Sequence, residues 1–287
     1  MNGSTPPSSD PTHSRSTFRY TVVAYVGVLF ASTGAIGTMA TGRATTTVLA
    51  ATLVAFAVGS VVGVGLSRID LDVVDRLGGS RLRWVVPILP VVPFAVVGVA
   101  AIFGSTGERV GIVAVVAAFS IAISGHVLAW SIGSRYADVT AGGEPILACR
   151  WEPPQSPKLD VLLLALWWLG AVVNVVAGEW LFAITWAGVG AGWFVSGLVE
   201  GRFRLGSTGR SPEVRVHDDG LVRQWPYTRS FVPWSDVDHV RLREGELVLD
   251  RGLFDVRLES DDLETPEKLL TAIERQHSSD GTRPAAA

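Results

Sequence analysis

Long apolar runs alternate with short charged segments over the first 200 residues of the chain. Six of these runs contain no Asp, Glu, Lys or Arg, and each spans 18 to 25 residues. About 20 apolar residues in a helix cross the hydrocarbon core of a bilayer, and a helix satisfies its own backbone hydrogen bonds where water is absent. The pattern therefore predicts six transmembrane helices, at residues 20–42, 44–67, 84–107, 110–134, 161–178 and 180–199.

Beyond residue 200 the apolar segments become short and alternating, as in strands that bury one face. Alternating segments at Glu213–His217 and 221–225 flank the turn residues Asp219 and Gly220, a pattern typical of a hairpin. An amphipathic helix at 265–276 begins with a Thr N-cap and a Pro. Further strands are predicted at residues 230–232, 237–242, 247–249 and 254–258.

These two patterns divide the chain into a membrane part and a part outside the bilayer. The six helices occupy residues 18–200, and the β-rich domain occupies residues 201–276 and is expected to fold on its own. The two ends, residues 1–17 and 277–287, are rich in Ser, Pro, Gly and Ala and are predicted to be disordered tails. The predicted fold class is an all-α membrane bundle of six transmembrane helices plus a small β-rich domain with a C-terminal helix.

The strands of the second half resemble those of a known domain family. GLVRQW at 220–225 leads to SFVPWSDVDHVRL at 230–242, and GELVLDRG, FDVRLE and the closing helix follow. This series, with its proline–aromatic turn VPWSDV, resembles the bacterial-type PH-like domain of uncharacterised multi-pass prokaryotic membrane proteins. The resemblance implies a PH-like fold placed after a membrane hairpin of helices five and six. Trp234 is expected to be buried beside Val232 and Val237.

Basic residues are distributed unevenly among the connections between the six windows. Twelve Lys and Arg residues lie in the N-terminal tail, in the second and fourth connections and directly after the sixth window, whereas the other connections contain only Arg43 and Arg109. Basic loops stay on the cytoplasmic side of a membrane. The sequence therefore predicts a multi-pass protein of the cell membrane with both termini in the cytoplasm.

Composition restricts the function mainly by what it excludes. The formal net charge is −3, which gives no basis for a nucleic-acid partner. Cys149 is the only cysteine, so the chain cannot form an internal disulfide or a cysteine-cluster metal site. The sequence has no nucleophile-and-base motif and no phosphate-binding glycine loop. No catalytic residue, cofactor or metal is therefore predicted, and the protein is expected not to be an enzyme.

Two polar residues inside the windows are candidates for chemistry in the membrane. His126 lies in the fourth window and Asn174 in the fifth. Each needs a hydrogen-bond partner in hydrocarbon, so we predict that they form an intramembrane polar pair. The alternative is a proton relay or ligand site at His126. Together with a bend predicted at Pro93, that alternative describes a small-solute transporter or channel.

The soluble part is expected to interact with proteins more than with lipid phosphates. From residue 204 onward there are 12 Lys and Arg against 16 Asp and Glu, in alternation. Arg202, Arg204 and Arg210, next to the sixth window, are the candidate contacts to anionic lipids. The predicted function is a non-enzymatic multi-pass membrane protein whose cytoplasmic PH-like domain serves assembly or protein interaction. Its expected partners are membrane lipids, other membrane or cytoplasmic proteins and further copies of itself in a homo-oligomer.

Overall fold

A computed structural model describes residues 11–68, 77–80, 82–141, 143–152, 157–203, 211–243, 245–252 and 255–280. Within these residues the membrane part consists of seven main helices. They are α1 (Pro11–Ala40), α2 (Thr45–Leu66), α3 (Leu82–Ile88), α4 (Val91–Ile102), α5 (Glu108–Thr140), α6 (Pro157–Val176) and α7 (Trp180–Val199). The strands are β1 (Leu147–Arg150), β2 (Glu213–His217), β3 (Gly220–Gln224), β4 (Arg229–Pro233), β5 (His239–Arg243), β6 (Glu246–Asp250) and β7 (Val256–Glu259), and α8 (Pro266–Asp280) follows them.

The number of helices able to cross a membrane agrees with the sequence pattern. In the described part of the chain, α1, α2, α5, α6 and α7 are each long and apolar enough to cross, and α3 with α4 makes a sixth span if the bent pair is counted as one. α1 packs on both α2 and α5, and α5 also contacts α4 and α7. Glycines bring the first two helices together, because a Cβ at Gly59 would lie 2.8 Å from the Val26 carbonyl oxygen.

The third span is bent by 50° between α3 and α4. The sequence analysis predicted that Pro93 bends the third helix, and a bend is present. It lies at residues 89–90, directly before α4, and Pro90 is the N-cap of that helix. Pro93, in the first turn of α4, lies four residues after Leu89, whose carbonyl a proline at this position crowds. The Tyr25 hydroxyl of α1 donates to the Pro87 carbonyl at 2.8 Å, which satisfies an acceptor close to this break.

The β-rich domain is made of two antiparallel sheets and one helix. The first sheet has the order β1-β2-β3-β4 and the second the order β5-β6-β7. α8 covers them with Leu269 and Ile273, both fully buried. The predicted fold class, a helical membrane part followed by a β-rich domain with a final helix, is confirmed. The core includes the inward side chains of both sheets, among them Val214, Val216, Leu221, Val232, Leu247, Leu249 and Leu258.

One strand of the first sheet comes from the membrane part of the chain. β1 lies between α5 and α6, and it pairs with β2 in a register that sets Leu147 opposite Val216 and Arg150 opposite Glu213. The predicted domain boundary at residue 201 omits this strand. Because α6 and α7 lie between β1 and β2 in sequence, the helical hairpin is an insertion within the β-rich domain. The same pairing places the end of α5, the start of α6 and the end of α7 on one side of the bundle.

The ends of the chain also differ from the sequence analysis. α1 begins at Pro11, so residues 11–17 are helical where a disordered tail was predicted. α8 continues to Asp280, past the predicted end of the domain at residue 276. The outermost residues of both predicted tails lie outside the described part of the chain.

Candidate functional site

The β-rich domain is docked on the final turns of α5. Arg229, the first residue of β4, forms an ion pair with Asp138 of α5, and the two side chains are only 11% and 17% exposed. The Arg229 backbone N–H donates to the Ser134 hydroxyl at 2.9 Å. The Tyr136 and Phe231 rings meet edge to face, with their centroids 5.9 Å apart. This combination of a shielded ion pair and aromatic packing fixes the domain against the bundle.

A second set of charges joins the two ends of the helical hairpin. Arg202, just after α7, contacts Asp160 of α6 at 2.5 Å and Glu200 at 2.9 Å, and its guanidinium lies 4.5 Å from the centroid of the Trp193 ring. The sequence analysis proposed Arg202 as a contact for anionic lipid. In the structure its charge is instead neutralised within the chain. Its two companions in that prediction, Arg204 and Arg210, lie outside the described residues.

Three arginines from distant parts of the sequence are near enough for their charges to act on one another. We call Arg83, Arg223 and Arg251 the junction arginines. Arg83, in α3, donates to the Gly78 carbonyl at 2.8 Å and lies against Gly133 of α5, where an added Cβ would be 3.0 Å from its Nη1. Arg223 is in β3. Arg251 follows β6, and the sequence analysis assigned a role to none of the three.

Arg223 occupies an unusual position in the first sheet. It pairs across the sheet with Val214 on one side and Ser230 on the other. Burial, together with the positive charges of Arg251 and Arg83, lowers the pKa of Arg223 to about 10. A guanidinium normally holds its proton far above this range. The shift therefore indicates an excess of positive charge around a poorly hydrated group.

Comparison with known proteins identifies the second half of the chain. Residues 211–287 match the bacterial PH domain family. This part of the chain is a bacterial PH domain. No curated protein and no solved structure matches the chain. The match begins just before β2, so it does not include β1, which completes the first sheet of the PH domain from the other side of the helical hairpin.

The predicted burial of Trp234 in the PH domain is confirmed. Trp234 is 1% exposed and belongs to the same core as Val232 and Val237. Its Nε1 donates to the His217 carbonyl at 3.1 Å, which satisfies the one polar atom of the buried indole. The proline–aromatic turn thus anchors the second sheet against the first.

The predicted intramembrane polar pair is not formed. Trp130 donates from Nε1 to His126 Nε2 at 3.1 Å on the same helix, and the Trp84 ring lies 5.4 Å from the imidazole. Asn174 donates to the Gly170 carbonyl of its own helix at 2.8 Å. Each of the two residues therefore has a hydrogen-bond partner one turn away on its own helix, and the structure shows no hydrogen bond between His126 and Asn174.

The second sheet of the PH domain presents a charged face. Arg241 contacts Asp250 at 3.4 Å, and Leu242, on the same strand, is 53% exposed. No group of three or more His, Cys, Asp or Glu side chains in the described ranges is arranged to hold a metal ion. A depression of ≈ 370 Å³ on this face is lined by Arg241, Arg243, Glu246, Val248, Asp255 and Arg257.

Proposed function

We propose that this chain is a non-enzymatic multi-pass membrane protein whose PH domain serves assembly or protein interaction on the cytoplasmic side. The observation that carries the proposal is the insertion of α6 and α7 between β1 and β2. A domain interrupted by a membrane hairpin cannot move away on a flexible linker. A PH domain held in this way is better suited to act as a fixed docking site for other proteins than as a module that is recruited to a membrane and then released.

The second sheet offers the surface for such a partner. β5 is at one end of the strand order β5-β6-β7, and its residues are mostly exposed. An edge strand can pair with a strand of another chain, while flanking charges select the partner. Arg241 and Arg257 alternate here with Glu246 and Asp255, so the partner is expected to carry charges of both signs.

The transporter or channel is the second candidate that the sequence raised. It relied on a polar pair formed by His126 and Asn174 and on a bend at Pro93. The bend in the third span is present, but His126 accepts a hydrogen bond from Trp130 of its own helix. A bent helix alone does not make a solute pathway, which also needs polar groups that bind the solute.

The orientation of the bundle is a separate expectation that thiol labelling can test. In a Cys149→Ala background, single cysteines at Thr41 and Ser105 should react with an impermeant reagent in intact cells. A cysteine at Asp218, in the β2–β3 turn, should react only after permeabilisation, because positive loops stay inside. Labelling at Asp218 in intact cells would contradict a cytoplasmic PH domain.

Crosslinking in cells tests the proposed interaction. A photoreactive residue at Leu242 should give a discrete protein adduct, because this side chain is 53% exposed on the edge strand β5. The same residue at Asp218, exposed on the first sheet, is the matched control and should give none. The adduct should weaken at least several-fold when Arg241→Glu reverses one charge beside it. Equal adducts at Leu242 and Asp218 would refute a partner-specific face.

A further inference from the structure

The core-facing layer of the second sheet is left uncovered at one edge. The strand register places Leu242 of β5, Leu247 of β6 and Leu258 of β7 in one row across the sheet. Residues directly opposite one another on paired strands point to the same face, so all three leucines belong to the core side. Leu247 and Leu258 are each 1% exposed, whereas Leu242 is 53% exposed. The apolar layer therefore extends one strand further than the groups that cover it.

The opposite face of β5 carries basic side chains. His239, Arg241 and Arg243 are every second residue of the strand, so they share the face that Leu242 does not use. Arg241 and Arg243 also line the depression on the charged face. The contact of Arg241 with Asp250 is solvent-exposed, and the two side chains are 53% and 26% accessible. Exposed ion pairs of this kind are weak, so Arg241 can exchange Asp250 for an incoming carboxylate.

Of the two edge strands of this sheet, β5 is the one suited to accept a further strand. β5 and β7 lie at the two ends of the strand order, and in the described ranges no strand runs along the free side of β5. An edge strand presents backbone N–H and C=O groups that an added strand can bind. The core-facing residues of β7, Val256 and Leu258, are already buried. At β5 an added strand would satisfy the backbone and cover Leu242 at the same time.

The side chains of β5 define the sequence that fits beside it. Cβ atoms of residues directly opposite one another on adjacent strands are about 4.5–5.5 Å apart, close enough for their side chains to interact. Every second residue of an added strand therefore faces Arg241 and Arg243, and the residues between them lie on the side of Leu242. Acidic side chains complement the arginines, and apolar side chains extend the core. The favoured segment thus alternates acidic and apolar residues.

A second copy of β5 does not fit this description. In an antiparallel pair of two β5 strands centred on Arg241, the two Arg241 side chains would lie directly opposite each other, and His239 would face Arg243. Like charges in this arrangement destabilise a sheet. Charge complementarity therefore favours an acidic strand from a different protein.

We propose that β5 binds an extended segment of another protein, which joins the second sheet as a fourth strand and alternates acidic and apolar residues. The acidic residues of the segment contact Arg241 and Arg243, and its apolar residues cover Leu242. Basic residues elsewhere on the partner meet Glu246 and Asp255. This inference rests on the proposed function and deepens it, because it gives the sequence pattern of the partner at the same surface.

Binding of a labelled peptide to the full-length protein in detergent tests this pattern by fluorescence anisotropy. A peptide of about seven residues in which aspartate and valine alternate should bind with a Kd on the order of 10–100 µM. The matched control has the same composition in two blocks, and it should bind at least tenfold more weakly because it cannot present one kind of side chain to each face. The alternating peptide with methylated backbone nitrogens keeps its charges but donates no hydrogen bonds, and it should not bind measurably.

Variants of the protein decide whether the peptide lies along the edge. Arg241→Glu and Leu242→Asp, both at exposed positions, should each weaken binding of the alternating peptide at least tenfold. Arg257→Glu is the control, since Arg257 lies in the row of Arg241 but two strands away, about 10 Å across the sheet. It should weaken binding by less than about threefold, because charges this far apart in solvent are screened. Equal losses for Arg257→Glu and Arg241→Glu would mean that the peptide lies across the face, and would overturn the added strand.

The remaining outcomes separate this inference from the proposed function. A protein adduct at Leu242 in cells, combined with equal binding of the alternating and block peptides, would keep the interaction function and overturn the added strand. Absence of both the adduct and the peptide preference would overturn both. A dimer of the purified protein that Leu242→Asp dissociates would assign the edge to a second copy of the chain and overturn the acidic partner.

Discussion

A chain of residues 145–152 joined by Asn-Gly to residues 211–280 is expected to fold as a soluble PH domain, whereas residues 211–280 alone are expected to be largely unfolded. β1 and β2 are antiparallel, and the Trp151 N–H donates to the Pro212 carbonyl at 3.1 Å. A two-residue turn therefore suffices to join Glu152 to Ser211 and to replace the membrane hairpin.

The expected difference follows from what β1 contributes to the core. Cys149 and Trp151 are 1% and 3% exposed, and the Trp151 ring meets that of Trp225 with centroids 4.6 Å apart. Loss of one buried Trp costs about 3–5 kcal/mol, and a whole domain is stable by only about 5–15 kcal/mol. Loss of β1 therefore removes most of the free energy of unfolding of the domain.

Circular dichroism and urea unfolding of residues 145–152 joined by Asn-Gly to 211–280 provide the measurement. The joined chain should show β structure and one cooperative transition, and the shorter fragment should show neither. The same joined chain with Trp151→Asp is the control and should behave like the fragment. If residues 211–280 alone unfold at the same urea concentration as the joined chain, β1 is dispensable and the domain is not interrupted.

Replacing Trp234 with alanine should destabilise the PH domain by about 3–5 kcal/mol. The side chain is enclosed by both sheets and by α8, and its removal also deletes the indole N–H that the His217 carbonyl accepts. Unfolding of the full-length protein in detergent, or of the joined domain, measures the change. Leu242→Ala, at an exposed position of the edge strand β5, is the control and should change the stability by less than about 0.5 kcal/mol. A cost below about 1 kcal/mol for Trp234→Ala would mean that the proline–aromatic turn is peripheral.

The sequence predicted the parts of the fold that depend on local pattern. Each membrane window is a continuous apolar segment, and each hairpin of the PH domain joins strands that are neighbours in sequence. Trp234 could be assigned to the core because the alternating residues on both sides of it already define an inward face. These features need no knowledge of distant segments.

β1 could not be found in this way. It has four residues, it follows a long helix, and its partner strand lies beyond two membrane helices. The alternation of Leu147, Cys149 and Trp151 was a signal, but so short a run gains its meaning only from the strand that it joins. The bend in the third span could be predicted because a proline acts on the turn before it, but the angle of 50° could not, since it depends on how the two helices pack.

The polar side chains were the least predictable part of the candidate site. His126 and Asn174 were paired because both need partners, yet the rotation of each helix decides which neighbours are near. The junction arginines looked like ordinary members of a mixed surface, because 12 basic and 16 acidic residues from residue 204 onward suggest mutual neutralisation. Only the tertiary packing, in which α3 and β4 both contact α5, brings Arg83 near the PH domain.

The interruption of the PH domain by the membrane hairpin imposes an order on biosynthesis. β1 leaves the ribosome before α6 and α7, and β2 follows after more than 60 further residues. At about 5–20 residues per second this delay is on the order of 3–12 s. If only one helix of the hairpin entered the bilayer, β1 and β2 would emerge on opposite sides and their sheet could not close. Closure of the first sheet therefore depends on the insertion of both helices of the hairpin, and a chain with a misinserted hairpin is expected to leave β2 unpaired on one side.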